Sequence, residues 1–270
     1  MKQTAASFLA KSESKAGDLQ HRHTINFNMG KYYEAVPGGK SQFEDLTMAK
    51  KMAKNLKWSA IENLDEHLER FERKITSRGA KVIWAETAEQ ALAEIGKICR
   101  EKNCRTLVKS KSMVTEEIHL NKYLEKRGIE SIETDLGEYI QQLVDEPPYH
   151  IVTPAMHKTK EEIATIFEEK LGAPPQLSPK ELTLTAREKL REKFTSAEVG
   201  VTGANFIISD IGGIAITENE GNARLSCSFP KTHIVVAGIE KVIPSIRDLS
   251  LFWPLLATYG TGQKVTSYNT

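Results

Sequence analysis

The stretch Arg105-Thr-Leu-Val-Lys-Ser-Lys-Ser-Met-Val-Thr-Glu-Glu-Ile-His-Leu-Asn-Lys-Tyr-Leu-Glu-Lys-Arg-Gly-Ile-Glu-Ser-Ile-Glu133 decides the fold. Arg105 to Val108 is a short strand-forming run, Thr115 to Arg127 has helical texture stopped by Gly128, and Ile129 to Glu133 returns to strand. A helix between two short apolar strands is the signature of a crossover, and repeated crossovers build a parallel sheet. The rhythm continues in both directions. Upstream, Lys81-Val-Ile-Trp84 reads as a strand, and Thr87 with Gln90 has capping-box spacing before a helix whose apolar face is Ala91, Leu92, Ile95 and Ile98. Downstream come a helix over Leu136 to Leu143, a short strand at Ile151-Val152, and a helix from Lys160 to Leu171 stopped by Gly172-Ala-Pro-Pro175. Phe206-Ile-Ile208 and Ile214-Ala-Ile216, separated by Asp210-Ile-Gly-Gly213, read as a hairpin. The expected fold class is therefore α/β, with a mostly parallel central sheet flanked by helices.

The first residues differ in texture. Met1 to Gly39 scatters Lys, Ser, His and Asn and ends in the breakers Pro37-Gly-Gly39, so it is expected to wrap or fray around short helices at Ser7–Leu9 and Tyr32–Tyr33. From Phe43, the residues Leu46, Ala49, Ala53, Leu56, Ile61, Leu64, Leu68, Phe71 and Ile75 recur at helical spacing up to Gly79. The expected division is a helical arm over 1–79 and an α/β domain over 80–270. A chain of 270 residues that is 40% apolar can bury one substantial core. Its 37 basic and 36 acidic residues nearly cancel, which removes charge as an argument for a nucleic-acid or anionic-membrane partner. No run of about eighteen apolar residues suggests a transmembrane segment, no basic-then-apolar leader opens the chain, and the few cysteines fit a reducing compartment, so a cytoplasmic location is expected.

Ligands of parallel sheets collect beyond the carboxyl ends of the strands, so the polar segments that follow strands are the candidate sites. Lys109, Ser110, Lys111 and Ser112 offer ammonium and hydroxyl groups suited to a carboxylate or phosphate; the structural alternative is a solvated connector with a capping serine. Asp135 and Glu138 read first as a helix cap and a first-turn carboxylate. His157 reads first as structural or exposed, and His150 and His157 lack helical metal spacing, so no metal site is expected. The strongest candidate is the loop Glu218-Asn-Glu-Gly-Asn222 with Arg224 and His233. Glu218, Glu220 and His233 are the candidate acid–base or nucleophilic groups, while Asn219, Gly221, Asn222 and Arg224 are candidate substrate contacts, Arg224 as a carboxylate clamp. The alternatives are that Arg224 pairs with Glu218 or Glu220 and that His233 merely opens the strand Ile234-Val-Val236. Cys99, Cys104 and Cys227 form no Cys-x-x-Cys arrangement, and the first two read as a helix-end and a strand-entry residue. Three thiols cannot supply the usual four ligands of a [4Fe–4S] cluster, so no cofactor is expected in this chain. Neither a dinucleotide-binding glycine fingerprint nor a Walker sequence is present.

Four segments in order carry a wider resemblance: Lys109 to Glu117, Glu133-Thr-Asp-Leu-Gly-Glu-Tyr-Ile140, His150-Ile-Val-Thr-Pro-Ala-Met-His-Lys158 and Val199 to Pro244. Together with the helical lead-in Leu64 to Gly79, they resemble the lactate-utilisation (LUD) domain family from about Trp58 onward, most closely its iron–sulfur subunits. That resemblance implies a fold similar to the sugar-phosphate isomerase and CoA-transferase-like proteins. It implies a role in a bacterial system oxidising L-lactate to pyruvate, with other lactate-utilisation subunits as partners and a small carboxylate as substrate. It also implies [4Fe–4S] clusters in the full-length member, carried by a ferredoxin-like region absent from this sequence. A CoA-transferase-like enzyme using a strand-end glutamate is the alternative, although Glu220 interrupts the expected Glu-Asn-Gly pattern at Glu218-Asn219. A noncatalytic platform for partner subunits is the third reading.

Overall fold

The computed structural model describes residues 5–150 and 152–270. Helices α1 (Ala5–Gly17), α2 (Leu19–Lys40), α3 (Leu46–Glu62) and α4 (Leu64–Thr76) come first, and α5 (Ala88–Glu101) begins the alternating part. Next come β1 (Thr106–Lys109), α6 (Met113–Glu117), α7 (Leu120–Glu125), β2 (Glu130–Glu133), α8 (Leu136–Leu143), α9 (Lys160–Leu171) and α10 (Pro179–Ser196). The rest comprises β3 (Val199–Thr202), β4 (Phe206–Ile208), β5 (Gly213–Ala215), β6 (Thr217–Glu218), α11 (Asn222–Ser228), β7 (Thr232–Val235), β8 (Val242–Ile243), α12 (Leu249–Thr261) and β9 (Tyr268–Asn269).

The central sheet has the order β2-β1-β3-β7 and is parallel throughout, with Lys109 opposite both Glu133 and Val201. Side chains alternate across it. Leu107, Val199 and Val201 pack on α5 and α7, while Val108 and Ile132 pack on Tyr139 of α8 and on Leu190 and Phe194 of α10. A second sheet, β5-β4-β8, contains the expected hairpin, with Phe206 opposite Ala215. Its apolar side is covered by Ala53 and Leu56 of α3, Leu68 and Phe71 of α4, and Phe252 of α12.

Several expectations are corrected. Lys81–Trp84 lies in no strand: no neighbouring strand runs beside it, and Val82 packs on the second-sheet core while the Trp84 indole N–H donates to Glu72 at 3.2 Å. The 115–127 helix is broken at His119, which sits in the left-handed region at φ 55 and separates α6 from α7. Rather than fraying, 19–40 is one helix running through Pro37, capped by Asp18 and laid against α12, where Gly39 and Gly262 allow close backbone approach. Gln90 completes its cap through the Glu86 N–H instead of that of Thr87. The expected strand at Ile151-Val152 lies partly outside the described residues, and Val152 is in a bend. Helix α10 fills a stretch to which no element was assigned; its capping box at Ser178 and Glu181 and its buried positions Leu182, Ala186, Leu190 and Phe194 account for it.

Candidate functional site

Parallel order brings the connectors after β1, β2, β3 and β7 to one side of the sheet, where they surround a cavity of about 480 Å³. Ser110, Lys111 and Ser112 form one wall, and Thr217, Glu218, Asn219 and Glu220 another. Leu256 and Ala257 of α12 close an apolar side, and Lys241 adds a second cation. The Lys109–Ser112 connector and the Glu218–Asn222 loop thus meet across one space. Within it, Lys111 Nζ contacts Asp135 Oδ2 at 2.6 Å and the Val152 carbonyl at 3.2 Å. Asp135 also caps α8 by accepting from the Gly137 and Glu138 N–H groups. Ser112 caps α6, so one of its lone pairs is committed to Thr115 N–H.

Lys109 does not line the cavity. Its side chain is fully buried beneath the connector, with Nζ 2.8 Å from Glu133 and 2.9 Å from Glu116 and a hydrogen bond to Thr115 Oγ1. Burial alone would lower the ammonium pKa, but the Glu133, Glu138 and Glu116 carboxyls override it and hold it above the ordinary lysine range. Glu138, 5% exposed, is pushed up to about 9 by burial and then by the Glu133 charge. It therefore carries a proton at neutral pH, and the inner oxygens of Glu138 and Glu133, neither of which has another donor, are the atoms that would share it. Asn121 completes the set by donating to Glu133 at 2.6 Å.

This shared proton has a measurable consequence. Folded Glu138 holds a proton that the unfolded chain releases above a pKa of about 4.3, so stability falls as pH rises from there to about 9. One such group contributes at most ~1.4 kcal/mol per pH unit. In Glu138→Gln the amide N–H can donate to Glu133 without titrating, so the loss of denaturation free energy between pH 6 and pH 8 should be smaller in the variant than in the wild type. Parallel stability profiles for the two proteins would contradict the assignment.

The acidic loop is built on backbone amides. Glu218 carboxylate oxygens accept from Ala223 N–H at 2.6 Å and Arg224 N–H at 2.9 Å, closing the first turn of α11. With its amide oriented so that both its oxygen and its nitrogen find partners, Asn222 donates to Glu218 at 2.7 Å and accepts from Thr134 and the Asp135 N–H. Gly221 has φ 79, a left-handed conformation that favours glycine. Glu220 accepts from Leu136 N–H at 3.1 Å, and loss of water around its carboxyl, followed by the Asp135 charge, raises its pKa. Asn219 accepts from Ser267.

Arg224 and His233 stand outside this space. The Arg224 side chain forms no ion pair with Glu218 or Glu220; its guanidinium lies over Tyr268, 5.6 Å from the ring centre. His233 lies on the face that carries α11, with Nε2 2.8 Å from Thr202 Oγ1 and 3.4 Å from Cys227 Sγ. Cys227 is pushed up to about 11 by burial and the Glu218 charge, which suits a structural thiol. His157 stacks on Tyr149 and approaches Glu146 at 3.4 Å, away from the cavity. Sequence reasoning missed Asn205, whose side chain accepts from Thr217 N–H at 2.7 Å and holds the loop against β4. Its position just after Gly203 at a strand end was the available signal.

The three cysteines do not fit an iron–sulfur cluster. Cys99 and Cys104 belong to the core on the α5 face of the central sheet, whereas Cys227 lies on α11 across it. Among the described residues, no three His, Cys, Asp or Glu side chains gather in a metal-binding arrangement, and no helix is long and apolar enough to cross a membrane.

The LUD domain matches residues 68–270. Lactate utilization protein B of Bacillus velezensis is 46% identical over 219 residues, covering 81% of this chain and 46% of that protein. The Bacillus subtilis protein of the same name is 45% identical over 220 residues, covering 81% and 46%. The Bacillus pumilus protein of that name is 39% identical over 269 residues, covering 99% and 57%. The chain thus spans about half the length of these curated relatives. No solved structure matches. With three quarters of its length matched by the family and an α/β core of the expected kind, this chain belongs to the LUD domain family.

Proposed function

We propose that this chain serves in bacterial lactate utilisation by binding a small 2-hydroxy or 2-keto acid in the cavity beyond the central sheet, in association with other lactate-utilisation subunits. The observation that carries this reading is Lys111. It is a partly exposed ammonium on the cavity wall, flanked by Ser110 and Ser112, and a carboxylate could share it with Asp135. Asn219 and Asn222 bound the same polar end beside Glu220, whose carboxyl pKa is raised by loss of water and by the Asp135 charge. Lys109 would act from below by fixing the connector, whereas His233 stands on the α11 face outside the cavity. The names of the relatives support the lactate assignment. In this reading the [4Fe–4S] clusters implied for longer family members take their thiolates from outside these residues. Group transfer through Glu218 is less supported, since both its oxygens already accept backbone amides.

Calorimetry with L-lactate, pyruvate and a phosphate control tests the site. Loss of a charge-assisted hydrogen bond is worth ~1.5–3 kcal/mol, so Lys111→Ala should weaken acid binding by roughly ten- to a hundredfold. Arg224→Ala, which alters a side chain outside the cavity, should bind like the wild type. Equal affinity in the wild type and Lys111→Ala would remove the connector from the site.

A further inference from the structure

We propose that Cys99 and Cys104 form a peroxide-sensitive dithiol that hydrogen peroxide converts to an intrachain disulfide. The pair closes the turn between α5 and β1, on the α5 face of the sheet and outside the proposed acid-binding site. Cys104 N–H donates to the Cys99 carbonyl at 2.8 Å. With standard covalent dimensions that bond caps the Cα–Cα separation at roughly 6.7 Å, inside the ~4.4–6.8 Å that disulfides span. The left-handed Asn103, φ 51, makes the reversal that brings the two residues together.

The thiols are close enough to shift one another. The neighbouring Cys104 thiol lowers the Cys99 pKa against the opposing effect of burial, and the Arg100 charge assists. Cys104 is raised by the same contact and by burial. Cys99 is thus the attacking sulfur and Cys104 the resolving one. Both border a second cavity, whose other lining includes Arg100, Arg105 and Arg127. Cys99 is fully buried and Cys104 is 8% exposed, which favours a neutral, water-sized oxidant over a bulky disulfide.

The chemistry balances as two thiols and one hydrogen peroxide giving one disulfide and two waters. The Cys99 thiolate attacks one peroxide oxygen and the O–O bond breaks; the departing hydroxide takes up the proton released by Cys99, leaving a sulfenic acid. Cys104 sulfur then attacks Cys99 sulfur, the S–O bond breaks, and the hydroxide leaves as water with the Cys104 proton.

Cys227 provides an internal comparator: it is less buried than the pair, but its thiol is pushed up to about 11. After graded hydrogen peroxide treatment and alkylation, cleavage behind Glu101 places Cys99 and Cys104 on separate peptides. Mass mapping should show those peptides linked, the link reversed by dithiothreitol, and Cys227 still alkylated. In Cys104→Ser, dimedone should trap a sulfenic acid at Cys99. Oxidation of Cys227 ahead of the pair, persistence of both pair thiols, or a disulfide between chains would overturn the proposal. The wild-type map decides it even if Cys104→Ser fails to fold.

Discussion

Lys109→Met is expected to cost about 3–5 kcal/mol of folding stability, the range for removing one partner of a buried ion pair. Methionine approximates the length of the side chain, so the loss would reflect charge more than volume. What remains is the Glu133 carboxylate, buried to 3% exposure, with Asn121 and the protonated Glu138 as its remaining donors and no cation beside it. Urea denaturation measures the loss, and the double variant Lys109→Met/Glu133→Gln should recover a substantial part because it no longer buries an unpaired carboxylate. A single-variant loss below about 1 kcal/mol, the value of an exposed pair, would show that the cluster is solvated.

Gly200→Ala is expected to be comparably severe for a steric reason. A β-carbon at Gly200 would lie 1.9 Å from the Ser226 carbonyl oxygen and 3.1 Å from Pro230. The obstruction is backbone, and β3 cannot step aside because β1 and β7 hold it on both edges. Overpacking that side chains can absorb costs about 1–3 kcal/mol, and this substitution should exceed that or abolish soluble expression. Gly30→Ala is the control: it sits in α2 with nothing within 4 Å of the added carbon and should be neutral or stabilising by up to about 1 kcal/mol. Equal stability of the two variants would mean that α11 can move away from β3.

Residues whose environment is set locally were legible in the sequence. Helices α8 and α9 have the expected bounds because Asp135, Thr159 and Gly172 mark their ends through short-range hydrogen bonds and a left-handed turn. That the connectors after the parallel strands gather on one side of the sheet was legible too, since it follows from parallel order. What depends on a distant partner was not. Lys81-Val-Ile-Trp84 has strand composition but no neighbouring strand to complete a ladder. Lys109 and Lys111 are two residues apart in one connector, yet Lys109 is buried opposite Glu133 and Lys111 reaches the cavity. Arg224 looked like a carboxylate clamp, but the first turn of α11 uses its N–H and turns its side chain toward Tyr268.

Strand β9 pairs with β6 in a ladder of two residues a side, and Ile216 and Thr270 exchange hydrogen bonds of 2.8 and 2.9 Å beside it. Asn219 is tied to Ser267 in the same segment, and Tyr268 supports Gly221. This short ladder is thus one fastening of the acidic loop, beside Asn205 and the first turn of α11. Such short ladders open at a fraction of the free energy needed for global unfolding. Opening of the β6–β9 ladder would free Asn219 from Ser267 while the Glu218 and Glu220 carboxyls stay on the backbone amides of α11 and α8, so the tip of the loop can loosen without moving its acids.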